Sequence, residues 1–358
     1  MLLLNPGPVT LSERVRHSLL QPDLCHRESE FFDLQDEARS RLLSTYSLNC
    51  SQWAAVLMTA SGTAAVESMV AALVPQNGRL LVVENGVYGE RIALICAQYG
   101  IAHERIVGDW MRAPDLDLIA ARLAGQPNDA GFTHVAVVHH ETTTGRLNDL
   151  RALARMCRDH GAALLVDAVS SFGAEAIDFG DAALSAVAAT ANKCLHGVPG
   201  AAFVIVRRGG LAKATSRTYY LDLRRLACLQ DERNTPFTPA VQAYYALVEA
   251  LREYEEQGGR IARFQHYAAL AERVRAGLAA LGINSVIPAE QSSVVLRAYY
   301  LPAGMNYVRL HDALKADGFV IYAGQGGLSK TLFRISTMGN LTMADIERLL
   351  TCFARLLR

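Results

Sequence analysis

The sequence lacks several patterns that would assign it to a specialised class of protein. It contains no Cys-x-x-Cys pair, and its seven cysteines are odd in number and widely spread along the chain. This distribution argues against a disulfide framework or a structural zinc site and favours reduced, mostly buried thiols. His139, His140 and His196 show no spacing with a second pair of ligands, so no metal site is predicted.

Long runs of one charge sign and long apolar runs are also absent. The 35 basic residues balance the 35 acidic ones, which gives no indication of binding to nucleic acid or to an anionic membrane. No segment reaches the ~20 apolar residues that a membrane-spanning helix requires. The first residues, Met-Leu-Leu-Leu-Asn-Pro-Gly-Pro, lack the basic region and the apolar length of a signal peptide. We therefore expect a cytoplasmic protein.

What the sequence does contain is enough apolar material for a large core. It has 358 residues, of which 51% are hydrophobic, and this length predicts more than one domain. The predicted division is an N-terminal segment (residues 1–14), a large domain (15–250) and a smaller C-terminal α+β domain (251–358). Gly258-Gly259 marks the clearest break in the second half of the chain.

Strand and helix patterns alternate through the first half of the chain. Apolar runs predict strands at Leu80–Val83, Thr133–Val138 and Ala162–Val166, with helical patterns between them, for example at Tyr88–Tyr99 and Leu150–His160. This alternation predicts βαβ units, and hence an α/β fold with a mainly parallel sheet sandwiched by helices. Proteins of this kind place their chemistry outside the carboxyl ends of the strands.

The stretch from Ala188 to Val206 contains an isolated lysine, Lys193. It is the only formally charged residue between Asp181 and Arg207, and a Gly-Val-Pro-Gly turn follows it before an apolar run. Burial disfavours the ammonium form, so an amine in an apolar pocket is able to condense with a carbonyl group. A lysine that only extends its apolar stem along a strand end fits the same residues, and this window alone favours neither interpretation.

Asp167 directly follows the predicted strand Ala162–Val166. A carboxylate at the carboxyl end of a parallel strand lies where such proteins bind ligands, and it would keep the nitrogen of a bound pyridine ring protonated. An ordinary aspartate that caps a helix or braces a loop explains the same position.

Two further stretches suit a planar, phosphorylated ligand. Ser61-Gly62-Thr63 opens a predicted helix, where hydroxyls and free backbone amides form an anion site, although ordinary helix capping uses the same residue types. Asn85-Gly-Val-Tyr-Gly89 places Tyr88 at the start of the next helix, where its ring would stack on a planar cofactor or pack in the core.

Six segments, taken together and in this order, resemble the class V aminotransferases. They are Asn5-Pro-Gly-Pro8, Ala60-Ser-Gly-Thr63, Asn85-Gly-Val-Tyr-Gly89, Glu141-Thr-Thr-Thr-Gly145, Val166-Asp-Ala168 and Ala191-Asn-Lys193. The resemblance spans nearly the whole chain. It implies the aspartate-aminotransferase fold (fold type I) and pyridoxal 5′-phosphate as the cofactor.

The resemblance also implies a role in cofactor binding for residues at matching positions. Lys193 would bond covalently to the cofactor and later move a proton as base and acid, while Asp167 would pair with the pyridine nitrogen. Thr142 would lie near the ring or the substrate, and Tyr88 would face the cofactor. The phosphate would be held by Ser61, Gly62, Thr63 and Asn192.

Three more residues connect the cofactor site with a partner subunit and with the substrate. Thr235 would reach the phosphate from a neighbouring subunit, which makes a homodimer the expected working unit. Arg334 would clamp the acidic group of the substrate, since a guanidinium suits a carboxylate or a phosphonate; from the residues alone, an arginine on a strand near the surface is the simpler interpretation. Gly7, in the N-terminal segment 1–14, would lie at the substrate.

The substrate is indicated by a narrower resemblance within the family. His140–Gly145 and Ala191–Gly200 are most similar to the enzymes that transfer the amino group of 2-aminoethylphosphonate to pyruvate, giving phosphonoacetaldehyde and L-alanine. An aminotransferase for alanine or serine with glyoxylate or pyruvate is the alternative, and a lyase or desulfurase of the same fold is a third hypothesis. The segments Cys25–Glu28 and Ser336–Met338 depart from the phosphonate pattern. Both segments are candidates for the lining of the substrate pocket, so their departure bears on the identity of the substrate and not on the cofactor or the type of reaction.

Overall fold

The central element of the fold is a sheet of seven strands. The structure, a computed structural model, describes residues 1–125 and 131–357. Its strands are β1 (Leu2–Leu3), β2 (Trp53–Ala60), β3 (Arg79–Glu84), β4 (Ala102–Val107), β5 (His134–Val138), β6 (His140–Glu141), β7 (Arg146–Leu147), β8 (Ala163–Asp167), β9 (Leu184–Thr190), β10 (Gly200–Arg207), β11 (Leu296–Tyr300), β12 (Phe319–Val320), β13 (Tyr322–Ala323) and β14 (Leu332–Ser336). Its helices are α1 (Glu13–His17), α2 (Ser29–Ser44), α3 (Gly62–Leu73), α4 (Val87–Gln98), α5 (Leu116–Ala124), α6 (Leu150–Asp159), α7 (Arg208–Leu211), α8 (Leu223–Asp231), α9 (Val241–Glu256), α10 (Gly259–Ala280), α11 (Tyr307–Ala316) and α12 (Met343–Leu356).

The strand directions of the central sheet bring many loops to one edge. The strand order is β2-β10-β9-β8-β5-β3-β4. All neighbours from β4 to β9 run parallel, whereas β10 is antiparallel to both β9 and β2. The mainly parallel sheet predicted from the sequence is therefore confirmed. Because β10 alone is reversed, β2 points the same way as the parallel strands, and the carboxyl ends of β2, β3, β5, β8 and β9 meet at one edge.

Side-chain alternation in the sheet divides the core into two layers. In β3, Leu81 and Val83 belong to one apolar cluster, while Leu80 and Val82 belong to the other. Successive side chains of a strand point to opposite faces, so an uninterrupted apolar strand needs helices on both sides. Helices α2, α6 and α9 contribute to the first cluster, and α3, α4 and α8 to the second.

The C-terminal part of the chain has its own small sheet and core. Strands β11, β14 and β13 form an antiparallel sheet, and β1, from the N-terminus, pairs in parallel with β12. Residues of α10, α11 and α12 pack on this sheet together with Leu4. The division into residues 1–14, 15–250 and 251–358 stays a prediction; residue 250 lies inside α9.

Most predicted elements are confirmed with small shifts at their ends. The N-cap of α8, Asp222, accepts a hydrogen bond from the Arg225 amide. Leu223, Leu226 and Ala227 of this helix are buried in the second apolar cluster. None of the helices within residues 1–125 and 131–357 is long and apolar enough to cross a membrane.

Candidate active site

A cavity of about 310 Å³ opens at the carboxyl edge of the central sheet. The loops after β2, β8 and β9 contribute to its lining, together with the first turns of α3 and α4. Its size lies in the range of pockets that bind small molecules. The predicted cofactor residues that line it are Ser61, Gly62, Thr63, Tyr88, Asp167, Asn192 and Lys193.

The start of α3 packs closely on the loop that follows Asp167. A Cβ atom on Gly62 would lie 2.7 Å from Cγ1 of Val169, so only a glycine permits this approach. Ser61 is the N-cap of α3, yet its side chain makes no capping hydrogen bond. The ordinary capping role is thus not observed for Ser61, and its hydroxyl remains available to an anion beside the helix N-terminus.

Asp167 ends β8 as a buried carboxylate. Its side chain is 6% exposed, and the Val169 amide donates a hydrogen bond of 2.9 Å to its Oδ1. Burial raises the pKa of Asp167 to about 6, because desolvation disfavours the charged form, while the Val169 hydrogen bond and the charges of Arg91 and Lys193 act in the opposite direction. At neutral pH the carboxylate is therefore mainly ionised and able to attract a proton onto a facing base.

Lys193 lies three residues after β9 and contacts the N-terminal segment. Its Nζ donates a hydrogen bond to the Pro6 carbonyl oxygen. Gly7 has a φ of +101°, and a Cβ atom there would lie 2.7 Å from Nζ. The segment is anchored on the other side by the pairing of β1 with β12. Residues 5–8 therefore connect the β1–β12 pair with the amine of Lys193.

The amine of Lys193 is less basic than that of a lysine in water. Burial lowers the pKa of Lys193 to about 8; Cys194 and Asp167 act in the opposite direction, and the charge of Arg334 makes a smaller contribution in the same direction as burial. About a tenth of such amines are neutral at pH 7, against about one in several thousand for an exposed lysine. Because only the neutral amine attacks a carbonyl carbon, this shift increases its reactivity near neutral pH.

We predict a measurable pH dependence from this shift. The rate at which the cofactor-free protein captures pyridoxal phosphate should rise with pH, with a midpoint near pH 8, and level off above it. Stopped-flow absorbance measures this rate, and butylamine followed over the same range corrects for ionisation of the aldehyde itself. A midpoint above about pH 10, where an exposed lysine titrates, would contradict the prediction.

Arg334 and Thr142 lie beside this cavity but do not line it. Arg334, in β14, is 3% exposed, and its Nη1 donates to the Thr142 carbonyl oxygen at 3.0 Å and to Oε1 of Gln325 at 3.1 Å. Its Nε donates to the Ala323 carbonyl oxygen at 2.8 Å. Within the described residues no carboxylate forms a salt bridge with Arg334. The guanidinium is therefore held in place by neutral acceptors, and its positive charge remains available to bind an anionic ligand.

Other residues singled out in the sequence lie outside the cavity lining. Thr235 borders a separate small cavity with Tyr220 and Phe237. Nη1 of Arg27, in the divergent segment Cys25–Glu28, donates to Oδ1 of Asn234 at 3.0 Å and to the Thr235 carbonyl oxygen. Ser336–Met338 is buried, and Met338 packs with Val9 and Cys194. In the described part of the chain, neither divergent segment lines the cavity at the carboxyl edge of the central sheet.

Sequence reasoning missed three residues that shape the site. Thr190 lines the cavity and donates a hydrogen bond of 2.8 Å to Oδ1 of Asn192. The buried Glu141 carboxylate accepts hydrogen bonds from the backbone amides of Tyr88 and Thr143, at 3.2 and 3.1 Å, and so fixes the start of α4. Arg91, one helical turn after Tyr88, also lines the cavity. The sequence offered one indication of two of these residues: Glu141 lies within the segment Glu141–Gly145, and Arg91 lies just after the segment Asn85–Gly89.

The residues at this cavity fit pyridoxal phosphate. The start of α3 offers unused donors for a phosphate, the ionised Asp167 suits a pyridinium nitrogen, and the weakly basic Lys193 suits an aldehyde. The glycine at position 62 keeps the helix start and the Asp167 loop close enough for one ligand to touch both.

Comparisons with known proteins agree with this assignment. The chain matches the family described as aminotransferase class-V over residues 17–349. It is 36% identical to a 2-aminoethylphosphonate–pyruvate transaminase of Vibrio cholerae, with 98% of this chain and 96% of the relative covered. An aspartate aminotransferase of subgroup IV from Thermus thermophilus superposes with a TM-score of 0.90 at 28% identity, over 100% of this chain and 99% of that one. An alanine–glyoxylate aminotransferase from Nostoc sp. superposes with a TM-score of 0.91 at 26% identity, over 100% and 95% of the two chains.

These matches cover almost the whole chain, and the family they indicate is the one whose cofactor fits the cavity. The fold type I architecture predicted from the sequence is confirmed by the structural neighbours. The chain therefore belongs to the class V aminotransferase family and is a pyridoxal-phosphate-dependent aminotransferase.

Proposed function

We propose that this protein transfers the amino group of 2-aminoethylphosphonate to pyruvate, giving phosphonoacetaldehyde and L-alanine. The observation that carries the proposal is Arg334, a buried guanidinium held by neutral acceptors beside Thr142 and close enough to Lys193 to lower its pKa. A planar fork of donors binds a phosphonate or a carboxylate equally well. One residue can thus serve the donor and the acceptor in alternate half-reactions, and relatives named for these two substrates support the choice.

The proposed roles of the site residues follow from their positions. Bound pyridoxal phosphate supplies the electron sink for the reaction. Lys193 would hold the cofactor and move a proton to and from the substrate carbon, and Asp167 would keep the pyridine nitrogen protonated. Gly7 leaves room beside Nζ for the substrate, and Thr142 positions Arg334 through its carbonyl oxygen. The phosphate is held by Ser61, Gly62, Thr63 and Asn192, and Tyr88 faces the ring.

We further propose that the working unit is a homodimer in the cytoplasm. Thr235 does not line the cofactor cavity of its own subunit; it borders a small cavity with Tyr220 and Phe237, and the rings of Tyr220 and of Tyr219, which packs on Phe237, are exposed. Large exposed aromatic side chains of this kind are enriched in subunit interfaces. In a dimer formed through this surface, Thr235 would approach the phosphate of the partner's cofactor.

The proposal predicts a single-turnover reaction. Mixing holoprotein with 2-aminoethylphosphonate and no keto acid should remove the cofactor's visible absorbance and release one equivalent of phosphonoacetaldehyde. Addition of pyruvate should restore the absorbance and form L-alanine. The reason is that the amino group stays on the protein until an acceptor arrives. An unchanged spectrum would exclude this donor.

Alanine, serine and aspartate form the comparison set for the same experiment. The structural likeness to alanine–glyoxylate and aspartate aminotransferases supports a second candidate, an aminotransferase for one of these amino acids. It would be chosen over the first if one of these donors reacted with a higher kcat/KM than the phosphonate. Release of ammonia or sulfide without any keto acid would instead indicate a lyase or a desulfurase.

A further inference from the structure

Arg91 directs a positive charge into the cofactor cavity. It lies in α4, one turn after Tyr88, and lines the cavity together with Thr63 and Asp167. Its Nη1 donates a hydrogen bond of 3.1 Å to Oγ1 of Thr63, and its guanidinium carbon lies 4.7 Å from the centre of the Tyr88 ring. The side chain is therefore held between the start of α3 and the aromatic ring.

No acidic side chain among the described residues forms a salt bridge with this guanidinium, and the Asp167 carboxylate in the same cavity interacts with it only through its charge. Among the residues that the structure describes, no carboxylate lies within 4.0 Å of Arg91, whereas Arg105 on the adjacent strand β4 forms a two-bond pair with Glu84. A half-buried cation without a counter-ion is unfavourable unless a ligand supplies the negative charge. The hydroxyl and ring contacts of Arg91 fix its position but leave it without a directly bonded counter-ion.

The donors around Thr63 converge on one place. The N-terminus of α3 carries a partial positive charge, the Ser61 hydroxyl is not used for capping, and Arg91 contacts the Thr63 hydroxyl from the other side. A phosphate monoester carries nearly two negative charges at neutral pH. Two neutral hydroxyls and a helix end compensate such a charge only in part, and one guanidinium supplies the remainder.

We propose that Arg91 is a binding residue for the phosphate group of the cofactor. It holds the phosphate through its charge and its remaining N–H donors, next to the helix start that contains Ser61, Gly62 and Thr63. The proposal depends on the identity of the cofactor but not on which amine is the substrate. Its competitor is a positioning role, in which Arg91 only orients Tyr88 against the cofactor ring.

Pyridoxal, which has the ring and the aldehyde but no phosphate, separates the two roles. We expect Arg91→Met to raise the Kd of the cofactor-free protein for pyridoxal phosphate at least tenfold, or about 1.4 kcal/mol, and to leave the Kd for pyridoxal within twofold. Arg91→Lys keeps the charge but loses the planar fork of donors, so its Kd for pyridoxal phosphate should lie between that of the unchanged protein and that of Arg91→Met. Absorbance titration of each cofactor-free variant gives both constants without any measurement of turnover.

Arg112→Met is the matched control, since it removes one positive charge from an exposed arginine outside the cavity. It should leave both constants unchanged. If Arg91→Met raised the Kd values for pyridoxal phosphate and for pyridoxal by the same factor, Arg91 would be assigned to positioning Tyr88. An unchanged Kd for pyridoxal phosphate would exclude any contact of Arg91 with the phosphate. The thermal midpoint of each cofactor-free variant shows whether a weaker Kd comes from loss of folded protein.

Discussion

Replacement of Lys193 by alanine should abolish covalent capture of pyridoxal phosphate and lower the rate of transamination by at least ~10²–10⁴-fold, the usual contribution of a positioned acid–base group. The expected loss is large because Lys193 would supply both the amine that bonds to the cofactor and the group that moves the proton. Within the cavity lining it is the one amine side chain, and no other described residue there replaces it. The cofactor phosphate would still bind, since its donors lie at the start of α3.

Reduction with borohydride followed by peptide mass spectrometry measures the covalent bond directly. In the unchanged protein the cofactor mass should appear on the peptide that contains Lys193, and in Lys193→Ala on no peptide. Lys213→Ala, which removes an exposed lysine outside the cavity lining, serves as the control and should retain the label on Lys193. A cofactor label that persisted elsewhere in Lys193→Ala, together with normal turnover, would refute the assignment of the lysine.

The second large effect is expected for Arg334→Gln. Loss of a two-bond, charge-assisted contact should lower kcat/KM for 2-aminoethylphosphonate by ~10²–10⁴-fold, given roughly 1.5–3 kcal/mol for each such hydrogen bond. The loss should appear mainly in KM if Arg334 binds the phosphonate equally in the ground and transition states. Arg334→Lys should recover part of it, because the charge remains but the fork does not.

Two comparisons show whether the loss comes from the substrate's acidic group. Propylamine carries no anion, so its slow reaction should be as fast in Arg334→Gln as in the unchanged protein. Arg297→Gln removes another buried arginine of the same small sheet, whose Nη1 lies 3.9 Å from a Glu272 carboxylate oxygen. A similar loss of kcat/KM in Arg297→Gln, or an equal loss for propylamine, would point to damage of the sheet and not to a lost contact with the phosphonate.

Much of the cofactor site could be predicted because its residues follow single strands. Asp167 comes directly after an apolar run, and Ser61 to Thr63 come between a strand and a helix, so local patterns were enough to place them at the edge of a parallel sheet. The two-sided apolar strands also predicted helices on both faces. The reversed β10 has no local signature of its direction, since a strand's pattern is the same in both directions.

Contacts between distant segments could not be predicted from local patterns. Pro6 and Lys193 are 187 positions apart, yet the Pro6 carbonyl accepts the lysine's hydrogen bond. Arg334 and Thr142 are 192 positions apart and also share one. Arg27, in the segment Cys25–Glu28, contacts the equally distant Asn234 and Thr235, while the place of this segment near the substrate stays a prediction. Arg91 was overlooked because an arginine in the second turn of a helix is usually a solvated residue.

The sequence by itself determined the family, the cofactor and the type of fold, because these depend on short motifs and on the period of apolar residues. The tertiary structure decided which cations are left without a directly bonded counter-ion. Arg334 and Arg91 resemble other arginines in the sequence, but folding surrounds one with carbonyl and amide oxygens and the other with a hydroxyl and an aromatic ring. Whether a cation is paired depends on neighbours that only folding brings together, and so the candidate anion sites became visible only in three dimensions.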